Sequence, residues 1–348
     1  MQAITITPGK AGSTRLEEIE EPPESDGPVL VEALAVGVCG TDLEITSGGY
    51  GWAPPGRERL VLGHESIGRV KEAPGGSGLA EGDLVVGIVR RPDPEPCYSC
   101  AAGEWDFCRN GRYTEHGIKE LDGFMRERYR AEPEALVKVD PSLAMLGVLL
   151  EPTSVVAKAW EETERVGNRA VWEPRTAVVT GAGPIGLLAA MIGVQKGLDV
   201  HVIDQVSEGL KPELVQQLGA TYHTGPVGKA CPSPDIVIEC TGVGALVFDA
   251  IDHVASGGVV CLTGVSGTGR SLQIDAGMVN RDMVLQNESV IGSVNANRRH
   301  YEAAAAALAR ADRRWLARLV TRSVAMEQFA DALEREPDDV KVVVEIHK

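Results

Sequence analysis

A cysteine, a histidine and a glutamate near the start of the chain have the chemistry of a metal site. Cys39 opens the run C-G-T-D, and His64 and Glu65 are adjacent in G-H-E. Each run follows an apolar segment of the kind that forms a strand. Zinc accepts thiolate, imidazole and carboxylate ligands, and a catalytic zinc keeps three protein ligands and one open position. The sequence therefore predicts a catalytic metal site where two strands end.

A second carboxylate is a candidate for the same site. Glu151 follows the apolar run L-G-V-L-L, where a glutamate without a purpose would be costly to bury. Its alternatives are a charge at a helix N-terminus or an ion pair with an arginine. Thr41 stands two residues after Cys39, so its hydroxyl is a candidate for passing a proton outward. The alternative for Thr41 is a turn threonine that satisfies backbone groups.

Three further cysteines form a second metal-binding pattern. Cys97, Cys100 and Cys108 lie in P-C-Y-S-C-A-A-G-E-W-D-F-C. The C-x-x-C spacing followed by another cysteine favours a knuckle around a structural zinc over free reactive thiols. The other cysteines, Cys231, Cys240 and Cys261, lie in strands and loops of the region where strands alternate with helices, and we interpret them as packing residues.

A glycine-rich turn predicts a dinucleotide site. Gly181, Gly183 and Gly186 form G-x-G-x-x-G, with Pro184 and Ile185 inside the motif. The motif follows the apolar strand T-A-V-V-T and opens an apolar helix, which is the context that the fingerprint requires. The first glycine permits the tight turn, the second lets backbone approach a pyrophosphate, and the third lets helix and strand pack closely. The alternative is a glycine-rich turn that binds nothing.

Residues at the ends of the following strands complete the predicted cofactor site. Asp204 ends the next strand, where its carboxylate can accept hydrogen bonds from a ribose and would repel a 2′-phosphate. This favours NAD, with NADP possible; the alternative for Asp204 is a residue that caps the next turn. Thr241, Gly242 and Gly264 end later strands, and we expect them and Val294 to line the cofactor.

The elements that must position these residues differ along the chain. Residues 1–90 alternate short apolar strands with Gly and Pro, which predicts a β-rich and barrel-like region. Residues 91–122 are irregular and predict a lobe. Strands then alternate with helices over 175–264, which predicts a doubly wound parallel sheet. A helix at 300–310, another near 326–335 and a strand at 340–347 are predicted for the end of the chain.

Composition narrows the class of protein. The 348 residues suggest about two domains, and 34 basic against 50 acidic residues give a net charge of −16. This charge argues against a nucleic-acid or membrane partner. The sequence has no run of 18 apolar residues and no signal-like start, and its seven cysteines are odd in number and unevenly spaced. These features predict a cytoplasmic protein in which some cysteines are available for a metal rather than for disulfides.

The ordered motifs resemble the zinc-dependent medium-chain dehydrogenase/reductase superfamily. They are V-C-G-T-D at 38–42, G-H-E-S-I-G at 63–68, E-G-D at 81–83, G-A-G-P-I-G at 181–186 and C-T-G at 240–242. The resemblance implies an α/β chain with two domains. A GroES-like β-barrel catalytic domain would comprise 1–152 and 295–348, with 91–122 as its structural-metal lobe. A Rossmann domain with a doubly wound parallel sheet would comprise 153–294.

Other segments are similar to prokaryotic glucose 1-dehydrogenases and related aldose dehydrogenases. They are V-R-R-P at 89–92, E-H-G-I-K at 115–119, D-G-F-M-R-E at 122–127, L-L-E-P at 149–152 and G-S-V-N at 292–295. This resemblance implies that carboxylates replace the third cysteine ligand, with Glu65 and Glu151 exchanging at the metal. The superfamily's lobe has four cysteines. This chain has Pro94 near the missing one, so Asp93 or Glu95 would supply an oxygen ligand.

The implied reaction is hydride transfer from the anomeric carbon of an aldose to NAD, giving the lactone. A sugar needs many hydrogen bonds, and the polar candidates for its site are Thr41, Glu115, His116, Glu151, Asn295, Asn297 and His300. The alternatives are a polyol, threonine or secondary-alcohol dehydrogenase, or a non-catalytic nucleotide-binding protein. The resemblance also implies a homodimer or homotetramer built through the Rossmann domains.

Overall fold

The computed structural model describes residues 1–267 and 271–347. The chain divides into two compact units, one formed by Met1–Ser154 with Asn295–Lys348 and the other by Val155–Val294. The first unit is therefore made of two separate stretches of sequence, and the second is continuous.

The strands alternate with turns in the first unit and with helices in the second. They are β1 (Gln2–Ile6), β2 (Arg15–Glu18), β3 (Val29–Val38), β4 (Leu60–Val61), β5 (Glu65–Glu72), β6 (Leu84–Gly87), β7 (Arg90–Arg91), β8 (Thr114–His116), β9 (Glu120–Leu121), β10 (Arg128–Ala131), β11 (Leu136–Lys138), β12 (Thr176–Thr180), β13 (Asp199–Ile203), β14 (Thr221–His223), β15 (Ile236–Glu239), β16 (Val259–Leu262), β17 (Ser289–Gly292), β18 (Val320–Ala325) and β19 (Lys341–Glu345).

The α-helices are α1 (Gly40–Thr46), α2 (Tyr98–Ala101), α3 (Leu150–Gly167), α4 (Pro184–Gln195), α5 (Leu210–Gln217), α6 (Val227–Ala230), α7 (Gly244–His253), α8 (Ala276–Gln286), α9 (Arg298–Arg310), α10 (Arg313–Leu319) and α11 (Phe329–Leu333). The helix expected near 326–335 is shorter than predicted, because a 3-10 turn over Met326–Gln328 precedes it.

The first unit is built around one large, mostly antiparallel sheet with the strand order β11-β6-β5-β3-β19-β18, and β10 also pairs with β3. The central strand β3 alternates buried and half-buried residues over its first part and is wholly buried at its end. Ile4, Val31, Val36 and Phe124 belong to the apolar core. Because β3 and β5 are antiparallel neighbours, the end of β3 and the start of β5 lie side by side.

The second unit is the predicted doubly wound sheet. Its strands are all parallel in the order β14-β13-β12-β15-β16-β17. This order, with the first strand central and the chain winding outward on both sides, is that of a dinucleotide-binding fold. The predicted strand T-A-V-V-T is β12, and four of its five residues are buried, as a central parallel strand requires.

One helical stretch in the described part of the chain, Pro141–Gly167, passes a length and hydropathy test for a membrane span. Within its most apolar window, 61% is buried inside the protein. Such burial is also typical of a core helix, so the test carries little weight.

Candidate functional site

Cys39, His64 and Glu65 converge as the sequence predicts. Cys39 follows β3, His64 directly precedes β5, and Glu65 is the first residue of β5. Their ligand atoms all lie within 4.8 Å of one another, and Cys39 Sγ is 3.0 Å from His64 Nε2. One sulfur, one nitrogen and one carboxylate oxygen are a donor set that zinc accepts. The adjacent ends of two antiparallel strands explain why residues 25 positions apart meet.

Asp42 contacts both Cys39 and His64 and orients them. Its Oδ2 accepts the Cys39 N–H at 2.9 Å, and its Oδ1 lies 3.5 Å from His64 Nδ1. Burial alone would lower the pKa of His64, but the sulfur of Cys39 and the carboxylate of Asp42 raise it well above its usual value. A histidine ligand whose second ring nitrogen faces a carboxylate is a recurring arrangement at zinc sites. The sequence analysis did not assign this role to Asp42.

Glu151 lies beside the three ligand candidates and outside their 4.8 Å group. It is buried in the first turn of α3. Burial raises the pKa of Glu151 to about 7, with the nearby charge of His64 acting against that rise and Glu65 adding to it. The structure therefore brings Glu151 close to His64 and Glu65, and its predicted role as a ligand stays a prediction. Thr41 is half-buried and donates its backbone N–H to Cys39 Sγ at 3.2 Å.

The cysteine lobe also converges. The thiol sulfurs of Cys97, Cys100 and Cys108 lie within 4.8 Å of one another. The backbone N–H of Arg109 is the first of several donors that lower the pKa of Cys97 to about 6, which favours a thiolate. Asp93, expected as a further ligand, is outside that group; it accepts the Glu95 N–H at 2.8 Å and lies 3.4 Å from Arg112 Nε. Its role as the fourth ligand stays a prediction.

Glu115 is held in a buried polar network. Its Oε1 accepts from Arg90 Nε at 3.0 Å and from Asn295 Nδ2 at 2.7 Å. The Arg90 guanidinium also stacks on the Tyr113 ring, 3.7 Å from its centroid. Two of the predicted sugar ligands, Glu115 and Asn295, are thus brought together. Arg90 fixes the orientation of the carboxylate, a partnership that the sequence analysis did not identify.

The other polar candidates are engaged in holding the fold. His116 Nδ1 is 2.6 Å from the Asp122 carbonyl, and its Nε2 is 3.0 Å from an Arg91 nitrogen. Asn297 donates to Asp106 at 2.8 Å, and its backbone N–H donates to His300 Nδ1 at the start of α9. Asn297 and His300 are 1% and 0% exposed. This geometry favours a structural role for His116, Asn297 and His300, and their role in sugar binding stays a prediction.

The glycine turn has the geometry that the motif requires. Gly181 has a φ of +88°, in the left-handed region that favours glycine. A Cβ on Gly186 would lie 1.8 Å from the Gly181 carbonyl oxygen, so only glycine fits. Gly183 caps α4 with no atom within 4 Å of its hypothetical Cβ, and Pro184 and Ile185 open the helix. The open space at Gly183 is what a pyrophosphate approaching the backbone needs.

Asp204 is tied to this turn. Its Oδ2 accepts the Ala182 N–H at 2.7 Å, and its Oδ1 accepts the Val206 N–H at 3.1 Å. Lys211 Nζ lies 3.7 Å from the same carboxylate. The aspartate therefore also caps the turn after β13, which was the alternative interpretation. One residue can hold the turn and still present an oxygen to a ribose.

Buried Glu239 organises the ends of β15 and β16. Its Oε1 accepts the Thr241 N–H at 2.8 Å, and its backbone oxygen accepts the Gly264 N–H at 3.0 Å. A Cβ on Gly264 would lie 2.1 Å from the Gly242 nitrogen. The predicted cofactor residues Thr241, Gly242 and Gly264 are thus packed together at the carboxyl edge of the sheet. Val294 is 58% exposed.

Asp42, Arg90, Glu239 and Lys341 are the polar residues that the sequence analysis missed. Glu239 stands in an otherwise apolar strand, Lys341 opens a strand whose next three residues are valines, and both are buried. A buried charge needs a partner, so an isolated charged residue in an apolar strand is a usable signal. Asp42 and Arg90 gave no such signal, because Asp42 lies in the first turn of the short helix α1 and Arg90 stands beside a second arginine in β7.

Two family models match the chain. The model described as "Alcohol dehydrogenase GroES-like domain" matches residues 25–141, and the model described as "Glucose dehydrogenase C-terminus" matches residues 144–346. Together they cover most of the chain in the order that the motifs predict.

Characterised relatives match over the full length. The chain is 41% identical to the glucose 1-dehydrogenase of Methanocella arvoryzae, covering 99% of each chain. It is 40% identical to the glucose 1-dehydrogenase of Thermoproteus tenax, again over 99% of each chain. Among solved structures, it is similar to Haloferax mediterranei glucose dehydrogenase in complex with NADP, Zn and gluconolactone. That match has a TM-score of 0.92, 32% identity and 100% coverage of both chains.

Proposed function

We propose that this chain, which belongs to the glucose dehydrogenase family, oxidises a glucose-like aldose at its anomeric carbon. The products are the lactone and a reduced nicotinamide dinucleotide. The observation that carries the proposal is the full-length similarity, at about 40% identity, to glucose 1-dehydrogenases. The motif-based recognition of this family is confirmed, as is the fold class. We further propose that Met1–Ser154 with Asn295–Lys348 is the catalytic domain and Val155–Val294 the cofactor-binding domain.

Zinc fits the first unit's ligand group. Cys39, His64 and Glu65 would hold it, with Glu151 as a neighbouring carboxylate that can take the place of Glu65. The support is the sulfur, nitrogen and oxygen donor set within 4.8 Å and the Asp42 carboxylate behind His64. When bound, a zinc ion supplies Lewis-acid chemistry that lowers the pKa of a nearby hydroxyl.

The chain's own residues then bind the sugar and move its proton. Glu115, fixed by Arg90 and Asn295, can accept a hydrogen bond from a sugar hydroxyl. Thr41 lies next to the Cys39 turn, where its hydroxyl can receive the proton of the reacting hydroxyl and pass it outward. Glu151, with its pKa near neutrality, can hold a proton during the same step.

The dinucleotide fits the glycine turn of the second unit. Gly181 and Gly186 permit the tight turn, Gly183 leaves open space for the pyrophosphate at the start of α4, and Asp204 would bind the adenosine ribose. When bound, the dinucleotide would supply a nicotinamide ring as hydride acceptor, which is chemistry of the cofactor and not of the chain. We propose that NAD is preferred, because the Asp204 carboxylate would repel a 2′-phosphate and Gln205 offers it no cation.

We also propose a structural zinc in the cysteine lobe, held by Cys97, Cys100 and Cys108. The three grouped sulfurs and the lowered pKa of Cys97 support it. Asp93 is the proposed fourth ligand, which requires its carboxylate to turn from Arg112. In the described residues all seven cysteines are free, which agrees with the cytoplasmic location that we propose.

Initial rates with glucose, galactose, a pentose, sorbitol, threonine and a secondary alcohol, each with NAD and NADP, test the proposal. We expect the aldoses to be oxidised and NAD to be used better than NADP. Asp204→Ala should narrow that preference by about tenfold or more, since charge-assisted hydrogen bonds contribute roughly 1.5–3 kcal/mol. Inert aldoses beside a rapidly oxidised polyol or alcohol would contradict the substrate assignment.

A further inference from the structure

Lys341 is a buried cation whose position next to the metal-site carboxylate has no role in the function proposed so far. It is the first residue of β19, in K-V-V-V-E, and it is 1% exposed. The strand order places β3 between β19 and β5. Val342 pairs with Val38 on one side of β3, and Glu65 pairs with Gly37 on the other. The lysine side chain therefore reaches across the end of β3 to Glu65.

Both oxygens of Glu65 are bonded by this lysine. Lys341 Nζ lies 2.7 Å from Glu65 Oε1 and 2.5 Å from Oε2, and it also donates to the Val38 carbonyl at 3.3 Å. Gly37 makes the arrangement possible, since a Cβ there would lie 2.1 Å from Glu65 Oε2. With both partners almost fully buried, neither charge has water as an alternative partner.

The same carboxylate belongs to the Cys39 and His64 group. A Glu65 oxygen that binds a metal must therefore either interact with both the metal and the lysine ammonium or give up its hydrogen bond to the lysine. A carboxylate already neutralised by a cation is a weaker ligand, and it keeps a buried partner when the metal releases it. Without the lysine, Glu65 would lose the ammonium that bonds both of its oxygens.

We propose that Lys341 is a positioning residue that competes with the metal for the carboxylate of Glu65 and so allows Glu65 to leave when substrate binds. The proposal rests on the metal site of the proposed function and extends it to a residue outside the ligand set. If the ion pair were purely structural, removing the lysine would change the stability of the protein and leave the cobalt spectrum and the zinc release rate unchanged.

The test compares wild type, Lys341→Met and Lys341→Arg, each loaded with zinc or with cobalt(II). Without the ammonium, Glu65 should stay bound, so the visible spectrum of the substrate-free cobalt protein should change and respond less to added gluconolactone. Zinc release to a chelator should slow at least about tenfold, the lower end of the effect of residues that support metal ligands. Lys341→Arg keeps the cation and should restore the wild-type spectrum and release rate.

Two controls separate competition from a general effect of charge. In the Glu65→Gln background, Lys341→Met should change the zinc release rate less than about threefold, because the competing carboxylate is gone. Lys138→Met, which removes a half-exposed lysine paired with Asp83 in the same unit, should leave the spectrum unchanged. If the methionine variant does not fold, Lys341→Gln should show the same spectral change.

An unchanged cobalt spectrum and release rate in a folded Lys341→Met protein would overturn the proposal. The proposal would also be overturned if Lys341→Met changed the zinc release rate equally in the wild-type and the Glu65→Gln backgrounds. These measurements do not require catalytic turnover. If Lys341→Met shows the spectral change and the wild-type protein oxidises no aldose, the proposed substrate is wrong and the inference about Lys341 is retained.

Discussion

At the scale of single residues, the metal group depends on partners that are not themselves ligands. Asp42 connects the Cys39 backbone with the second ring nitrogen of His64, and it is fully buried. Such partners fix the ring orientation of a ligand and increase its basicity. The convergence of Cys39, His64 and Glu65 could be predicted from the sequence, since C-G-T-D and G-H-E follow apolar strands, and their role as ligands stays a prediction. The partner residue Asp42 could not be predicted, because only the fold shows which carboxylate faces the His64 ring.

Asp42→Asn should weaken zinc binding by about 10- to 100-fold, as removal of such partners does elsewhere. The amide oxygen can still accept the Cys39 N–H, so the protein should fold normally. Chelator competition measures the affinity, and thermal unfolding checks the fold. Asp83→Asn, at a surface ion pair with Lys138, is the matched control and should leave the affinity unchanged. Equal zinc affinity in wild type and Asp42→Asn would refute a role for this carboxylate.

At the scale of elements, the glycine turn shows how far a motif predicts structure. The pattern G-x-G-x-x-G predicted a strand, a tight turn and a helix, and β12 and α4 have that arrangement. The helices α5 and α8 were not predicted. Leu210–Gln217 mixes charged and apolar residues without a clear period, and α8 has no buried residue to impose one. Prediction succeeded where strands are apolar and glycines are required, and failed for helices whose apolar residues follow no clear period.

The two glycines of the turn should respond differently to substitution. Gly186→Ala places a Cβ against the Gly181 carbonyl, so it should destabilise the protein by at least about 2 kcal/mol. Gly183→Ala meets no protein atom and should cost no more than about 1 kcal/mol, as a change at a helix N-cap. It should nevertheless weaken NADH binding about tenfold, because the methyl group intrudes where the pyrophosphate approaches. Unfolding curves measure the stability of both variants, and fluorescence titration measures their NADH affinity. Unchanged NADH affinity in Gly183→Ala would contradict the proposed position of the cofactor.

A histidine pair joins the edge strand of the parallel sheet to its neighbour. His201 Nδ1 on β13 lies 2.9 Å from His223 Nε2 on β14, and Asp199 lies 3.5 Å from the other nitrogen of His201. Burial and the His201 ring lower the pKa of His223. Below about pH 6.5, the ordinary value for histidine, the unfolded chain binds more protons than the folded one. Stability from the neutral His223 is therefore present above that pH and lost as the pH falls through its lower folded pKa.

His223→Gln should reduce this loss, since glutamine keeps a hydrogen-bonding group and does not titrate. Thermal unfolding measured on both sides of about pH 6.5 should show a smaller change in midpoint for the variant than for wild type. His253→Gln, on α7 and outside the pair, serves as the control. Equal acid sensitivity of wild type and His223→Gln would show that the pair does not govern the response.

At the scale of the whole molecule, the described part of the second unit exposes apolar side chains of α8 beside a sheet edge, while Val279 and Met283 on the same helix pack against the core. Helix α8 has no buried residue, and Met278, Val284 and Leu285 on it are each at least 46% exposed. β17, which follows α8, pairs with β16 on one side only. Exposed apolar residues beside a free strand edge are typical of a surface that another chain covers. The homodimer that the family resemblance implies is expected to form through this face, and it stays a prediction.

Leu285→Glu should shift the protein from dimer to monomer. In a two-fold interface each residue occurs on both partners, so one substitution introduces two buried charges, each costing at least about 1–3 kcal/mol. Sedimentation velocity across a range of protein concentrations measures the dissociation constant, which should rise at least about thirtyfold. Val171→Glu is the matched control, because Val171 is 99% exposed in the same unit and lies outside α8. It should leave the dissociation constant unchanged. A wild-type protein that sediments as a monomer at all concentrations would rule out the dimer, and a dimer unaffected by Leu285→Glu would place its interface elsewhere.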